Sequence, residues 1–160
     1  PPSPPRRSSD LLHTSDTTVP SVIYTYIHNT SKDDWAHVWN FLLINRSRFS
    51  FSIDGAVTSP PLTVGQVFDT QRAHAVTASY ILGKQRLNCH FFAEHKVEFD
   101  LNPCDVTGPD EAEQLEEFLR VLGRVTGKQV SLTHENAPYD VIARFDPTTG
   151  KLFWSPSTAA

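Results

Sequence analysis

His90 and Glu94 stand four residues apart and Glu98 and Asp100 two apart, so in an extended chain each pair shares one face of a strand. An imidazole and carboxylates grouped in this way can hold a divalent ion or pass a proton. They define the best catalytic reading available, a small metal-dependent hydrolase or nuclease acting through His90, Glu94, Glu98 and Asp100. In a nuclease version Asp69 precedes Glu94-His95-Lys96, an acid followed by Glu-x-Lys, in which two carboxylates hold magnesium and the lysine polarises the attacking water. The plainer explanation is favoured: alternating polar residues are what the solvent face of an antiparallel sheet displays. A second polar group, His134-Glu135-Asn136 with Asp140, has no nucleophile tied to it and reads as a polar loop. The 7 glycines are scattered singly and form no phosphate cradle. No residue is assigned to a cofactor or to a resident metal.

Two features point to binding. Phe92 falls among polar neighbours on the outward side of the His90 strand, where an exposed aromatic ring marks a contact surface. Asp110, Glu111, Glu113, Glu116 and Glu117 crowd two turns of a helix. Such a patch is usually a solvated face helped by the helix dipole, and it can also steer a basic protein partner.

The elements that must position these residues follow from periodicity. Asn88 to Asn102 carries the clearest period-two pattern: Cys89, Phe91 and Ala93 face one way and His90, Phe92 and Glu94 the other. After His95 the alternation restarts with Val97, Phe99 and Leu101 as its apolar row. Val19 to His28 is apolar on both sides and predicts a central strand. Ser31 and Asp34 predict a capping box, and Trp35, Val38, Trp39, Leu42 and Leu43 the apolar stripe of the helix it opens. Phe49 to Asp54, the Val64 to Phe68 edge segment, Ala75 to Leu82, Val130 to Leu132, Val141 to Phe145 and Lys151 to Trp154 are read as strands. Asp110 to Thr126 is a second amphipathic helix, stopped by Gly127. Turns at Gly83-Lys84 and at Asp146 to Gly150 predict hairpins.

The expected fold is therefore α+β, a single domain over residues 19–156. A mainly antiparallel or mixed sheet of about six to eight strands carries two amphipathic helices packed on it. Residues 1–18, rich in Pro, Ser and Arg, hold only Leu11 and Leu12 as large apolar groups and are expected to form a flexible leader. The hydrophobic share of 39% is lean, but 10 Phe, 3 Trp and 4 Tyr bring large areas to a core. A net charge of -4 argues against nucleic acid as partner, because phosphate neutralisation needs clustered cations. No apolar run is long enough to span a bilayer, so no membrane association is expected, and a cytoplasmic location follows. Cys89 and Cys104 make no disulfide framework; a buried thiol and a free loop thiol are expected.

The stretches C-H-F-F-A-E-H-K-V-E-F-D-L-N-P, E-E-F-L-R-V-L-G-R-V-T-G-K, V-S-L-T-H-E-N and R-F-D-P-T-T-G-K-L-F-W resemble a class of small uncharacterised bacterial α+β proteins. Some of these are regarded as immunity proteins of polymorphic toxin systems. The resemblance covers residues 85–155. It implies a binding role and assigns no residue a role; with the acidic helix face and Phe92 it leads to the expectation of a non-enzymatic immunity protein that neutralises a cognate, basic toxin through an acidic and aromatic surface. Self-association of the chain is the remaining alternative.

Overall fold

The computed structural model describes residues 22–135 and 137–156. The expected leader over residues 1–18 lies outside the described residues, as does Asn136 in the second polar group. Chain order is β1 Ile23–His28, α1 Lys32–Ile44, β2 Phe49–Ile53, β3 Ala56–Val57, α2 Val64–Gln71, β4 Val76–Leu82 and β5 Gln85–Ala93. It continues with β6 Lys96–Leu101, α3 Pro109–Thr126, β7 Val130–His134, β8 Ala137–Asp146 and β9 Lys151–Trp154. The nine strands form one sheet in the order β3-β2-β4-β5-β6-β1-β7-β8-β9. Every pairing between them is antiparallel. The fold is α+β as expected, with one strand beyond the expected range and a third helix.

That third helix replaces the expected edge strand at Val64 to Phe68. Thr63 caps α2 by accepting from the Gln66 backbone N–H at 3.4 Å, while the Gln66 side chain accepts from the Thr63 N–H at 3.2 Å. Two otherwise orphaned donors are satisfied reciprocally, and Val64 and Val67 are buried on one helical stripe. A capping box with helical spacing behind it outweighs the strand preference of the two valines. The capping box expected at Ser31 and Asp34 forms. Gly127 ends α3 at a φ of 67°, a left-handed conformation that favours glycine. The polar loop expected at His134, Glu135 and Asn136 with Asp140 is shorter, because β8 begins at Ala137, carries Asp140 and pairs back on His134.

All three helices lie on one side of the sheet. Trp35 of α1 packs against Phe68 of α2 and Phe91 of β5, and Phe118 of α3 packs edge-on to Phe99 of β6 at 5.2 Å. Cys89, Phe91, Val97, Phe99 and Leu101 all turn inward to this layer and are buried. Cys89 and Cys104 are both free, the first buried and the second exposed, and burial pushes the Cys89 thiol well above its usual range. The inward row of β5 and β6 thus belongs to the core, and the outward row is what they offer to solvent. Among the described residues no helix is long and apolar enough to cross a membrane.

Candidate functional site: the open face of the sheet

On the side away from the helices, no described helix or strand covers the centre of the sheet. β6 lies between β5 and β1, and its outward residues Lys96, Glu98 and Asp100 are set opposite outward residues of both neighbours. Glu98 faces His90 on one side and Tyr26 on the other; Asp100 faces Asn88 and Tyr24. Aromatic rings rise along the two flanking strands. In β1, Tyr24 stacks on Tyr26 at 5.6 Å between centroids and Tyr26 on His28 at 5.5 Å. In β5, His90 and Phe92 stack at 5.0 Å with an interplanar angle of 8°. Successive outward side chains of one strand are natural stacking partners, since they project from the same face.

A chain of hydrogen bonds crosses β4, β5 and β6 on this face. Ser79 Oγ donates to Asn88 Oδ1 at 2.9 Å, Asn88 Nδ2 donates to Asp100 Oδ1 at 2.9 Å, and His90 Nε2 meets Asp100 Oδ2. Burial alone would raise the Asp100 pKa, but the hydrogen bonds from His90 and Asn88 and the His90 charge together outweigh it, and the carboxyl sits below its usual range. A depressed folded-state pKa stabilises the fold above the unfolded value, and that stabilisation is lost as pH falls through the folded one. Asp100→Asn is therefore expected to cost about 1.5–3 kcal/mol at neutral pH. The gap to the parent should narrow towards acid pH, as the folded-state carboxyl takes up its proton. Urea unfolding of both proteins at neutral and at acid pH checks this; a gap of equal width at both would refute it.

Glu98 is only 6% exposed, and its Oε2 accepts no hydrogen bond. Its nearest cation, Lys96 Nζ, is 3.8 Å away and lies 5.0 Å from the centre of the Tyr26 ring. Desolvation first, then the Glu98 charge and a hydrogen bond to it, push the Tyr26 phenol well above its usual range, so Tyr26 remains a neutral donor.

The structure brings together His90, Glu98 and Asp100 but removes Glu94 from them. β5 ends at Ala93, its register shifts between His90 and Ala93, and Glu94 and His95 form the two-residue turn into β6. Glu94 thus shares no strand face with His90, and Asp69 sits on α2. Among the described residues no three His, Cys, Asp or Glu side chains converge as metal ligands. What remains chemically is a His–Asp pair that can hold a proton.

Phe92 is 67% exposed on this open face. The acidic residues lie elsewhere: Asp110, Glu111, Glu113, Glu116 and Glu117 are on α3, across the sheet from Phe92, so the acidic and aromatic features are two surfaces and not one. Part of the acidity is also committed within the chain. Glu116 accepts from Trp154 Nε1 at 2.6 Å and lies 3.8 Å from Arg120, and Glu117 approaches Arg120 and Arg124 at 3.9 and 3.5 Å. Asp110 and Glu113 are exposed. Sequence reasoning missed Tyr24, Tyr26 and His28 as site residues; their two-residue spacing was visible, but the partner strand that places carboxylates beside them was not. No protein-family model, no curated protein and no solved structure matches the chain.

Proposed function

We propose that this chain is a non-enzymatic protein-binding domain, of the immunity type, that neutralises a basic toxin by covering part of its surface with the open face of the sheet. The observation that carries the reading is the pair of aromatic ladders left uncovered there, with Phe92 exposed at the end of one of them. A large aromatic ring held on a rigid strand is a good binding anchor, because it loses little freedom on contact. The exposed acids Asp110 and Glu113 of α3 act at longer range, raising the encounter rate with a cationic protein without lying in the contact itself. Two free thiols suit a reducing, cytoplasmic site of action.

Titration calorimetry of the purified chain against the protein encoded beside its gene tests the proposal. The expected outcome is a stoichiometric complex that Phe92→Ala weakens by about 2 kcal/mol, near thirtyfold. Absence of a complex, or one indifferent to Phe92→Ala, removes the reading.

A further inference from the structure

The helix layer leaves room at one corner of the sheet. β2 begins at Phe49, opposite Tyr80, whereas β4 runs on to Leu82, so the end of β4 extends past its neighbour. A cavity of about 720 Å³ opens there between the last turn of α1, the end of β4 and the middle of α3. That volume is in the range of sites that take small molecules. Its floor consists of three rings: Tyr80 of β4 stacks on Phe118 of α3 at 5.5 Å and lies 5.6 Å from Phe41 of α1. Tyr80 is 3% exposed, and its hydroxyl makes no hydrogen bond with a described residue, yet the oxygen is not sealed from solvent. A hydroxyl set among rings in this way gains a partner when a polar group enters beside it.

We propose that this cavity binds a small amphipathic carboxylate, its flat apolar body on the Phe41, Tyr80 and Phe118 floor and its carboxylate at Arg48. The site lies in the helix layer, so it goes beyond the binding role of the open face and stands independently of it. Arg48 closes the single 3-10 turn that follows α1, and it lines the cavity. It is exposed and pairs with no described carboxylate. It is not needed to cap α1 either, because Asn45 Nδ2 already donates to the Phe41 carbonyl at 2.8 Å. Glu117 is the carboxylate of the lining, and its charge is answered along α3: Arg124 lies 3.5 Å and Arg120 3.9 Å away, Arg120 being shared with Glu116 at 3.8 Å. Around the cavity Arg48, Arg120 and Arg124 thus stand against Glu116 and Glu117, and Arg48 is left to meet an incoming anion. A guanidinium offers two parallel donors that match a carboxylate. The rings supply the apolar contact, and the Tyr80 hydroxyl donates or accepts beside it.

The test titrates the full isotope-labelled chain with indole-3-propionate and follows amide chemical shifts, with the neutral indole-3-propionamide and the cationic tryptamine as comparisons. Saturable shifts are expected at Asn45, Arg48, Gly83 and Gln114, with a Kd of about 1 mM or tighter for the carboxylate and at least about tenfold weaker binding of the amide and the amine. Arg48→Gln, a change at an exposed position that leaves the core intact, should weaken the carboxylate about tenfold and leave the amide unaffected. Tyr80→Phe keeps the ring and should cost about threefold. Equal binding of the three probes, a carboxylate indifferent to Arg48→Gln, shifts confined to the open face, or no saturable response overturns the proposal. So does a change at these same amides in the free chain when Leu11 and Leu12 are replaced by Ser, since the chain itself would then fill the cavity.

Discussion

Trp39→Ala should destabilise the fold by about 3–5 kcal/mol, a large part of the total for a domain of this size. Trp39 is 1% exposed and meets three rings edge-on, Phe49 at 5.5 Å, Phe91 at 5.8 Å and Phe51 at 6.0 Å. These rings belong to β2 and β5, with β4 between them, so one indole joins α1 to both sides of that half of the sheet. Its Nε1 also donates to the Pro61 carbonyl at 2.9 Å, pinning the loop that leads into α2. Truncation removes the ring contacts, leaves a cavity that the surrounding aromatic rings cannot collapse to fill, and strips the Pro61 oxygen of its donor. Trp39→Phe separates these contributions. It retains much of the packing and loses the hydrogen bond, and should cost about 1–2 kcal/mol. Urea unfolding of both variants measures the two steps, and a loss below about 1 kcal/mol for Trp39→Ala would show that α1 is not anchored in this way.

Such anchors were legible because their signal is local. The Trp35, Val38, Trp39, Leu42, Leu43 stripe lies within about two and a half helical turns, and the first four are buried as the spacing predicts while Leu43 is half-buried. The hairpins at Gly83-Lys84 and at Asp146 to Gly150 were legible for the same reason, since turn chemistry and alternation occur within a few residues of each other. β1 was read as central from its apolar character on both faces, and it does lie inside the sheet, between β6 and β7. Which strands would flank it was not legible. Pairing Tyr26 with Glu98 joins residues far apart in the chain, and no local preference encodes that choice. The candidate site inherits this blindness. His90, Glu98 and Asp100 could be grouped from one hairpin, whereas Tyr24, Tyr26 and His28 reach them only through the insertion of β1. Glu94 was misplaced by the opposite error: period two was extended through a position where the chain already turns, and a strand that ends one residue earlier carries its next side chain off the face. The strand reading of Val64 to Phe68 failed because five residues are too few to separate a strand from the first turn and a half of a helix, although Thr63 and Gln66 already carried the cap.

The second large effect concerns the opposite half of the sheet, where substitution of a helical glycine should harm and not help. Gly123→Ala is expected to destabilise by about 1–3 kcal/mol, against the gain of up to about 1 kcal/mol that alanine brings to an ordinary helix interior. A methyl group added at Gly123 would stand 2.3 Å from Phe145 Cδ1 and 2.5 Å from Cε1, well inside contact distance. Phe145 is 1% exposed on β8 and ring-shaped, so it cannot bend away as a flexible side chain would. The alternatives are to lift α3 from β8 or to force the ring off its rotamer, and both disturb a closely packed layer. The position therefore carries glycine for closeness of approach: Gly123 lets α3 lie against β8, and β8 in turn holds β7 beside β1. A displaced β8 would loosen the strand that bounds the Tyr24, Tyr26, His28 wall, so Gly123→Ala should also weaken any ligand of the open face, although it lies in the opposite layer. Gly123→Ala paired with Phe145→Leu checks the cause. If the clash is responsible, the double variant is more stable than the sum of the two single changes predicts. Strict additivity, or a stabilised Gly123→Ala protein, would show that α3 and β8 have room to spare.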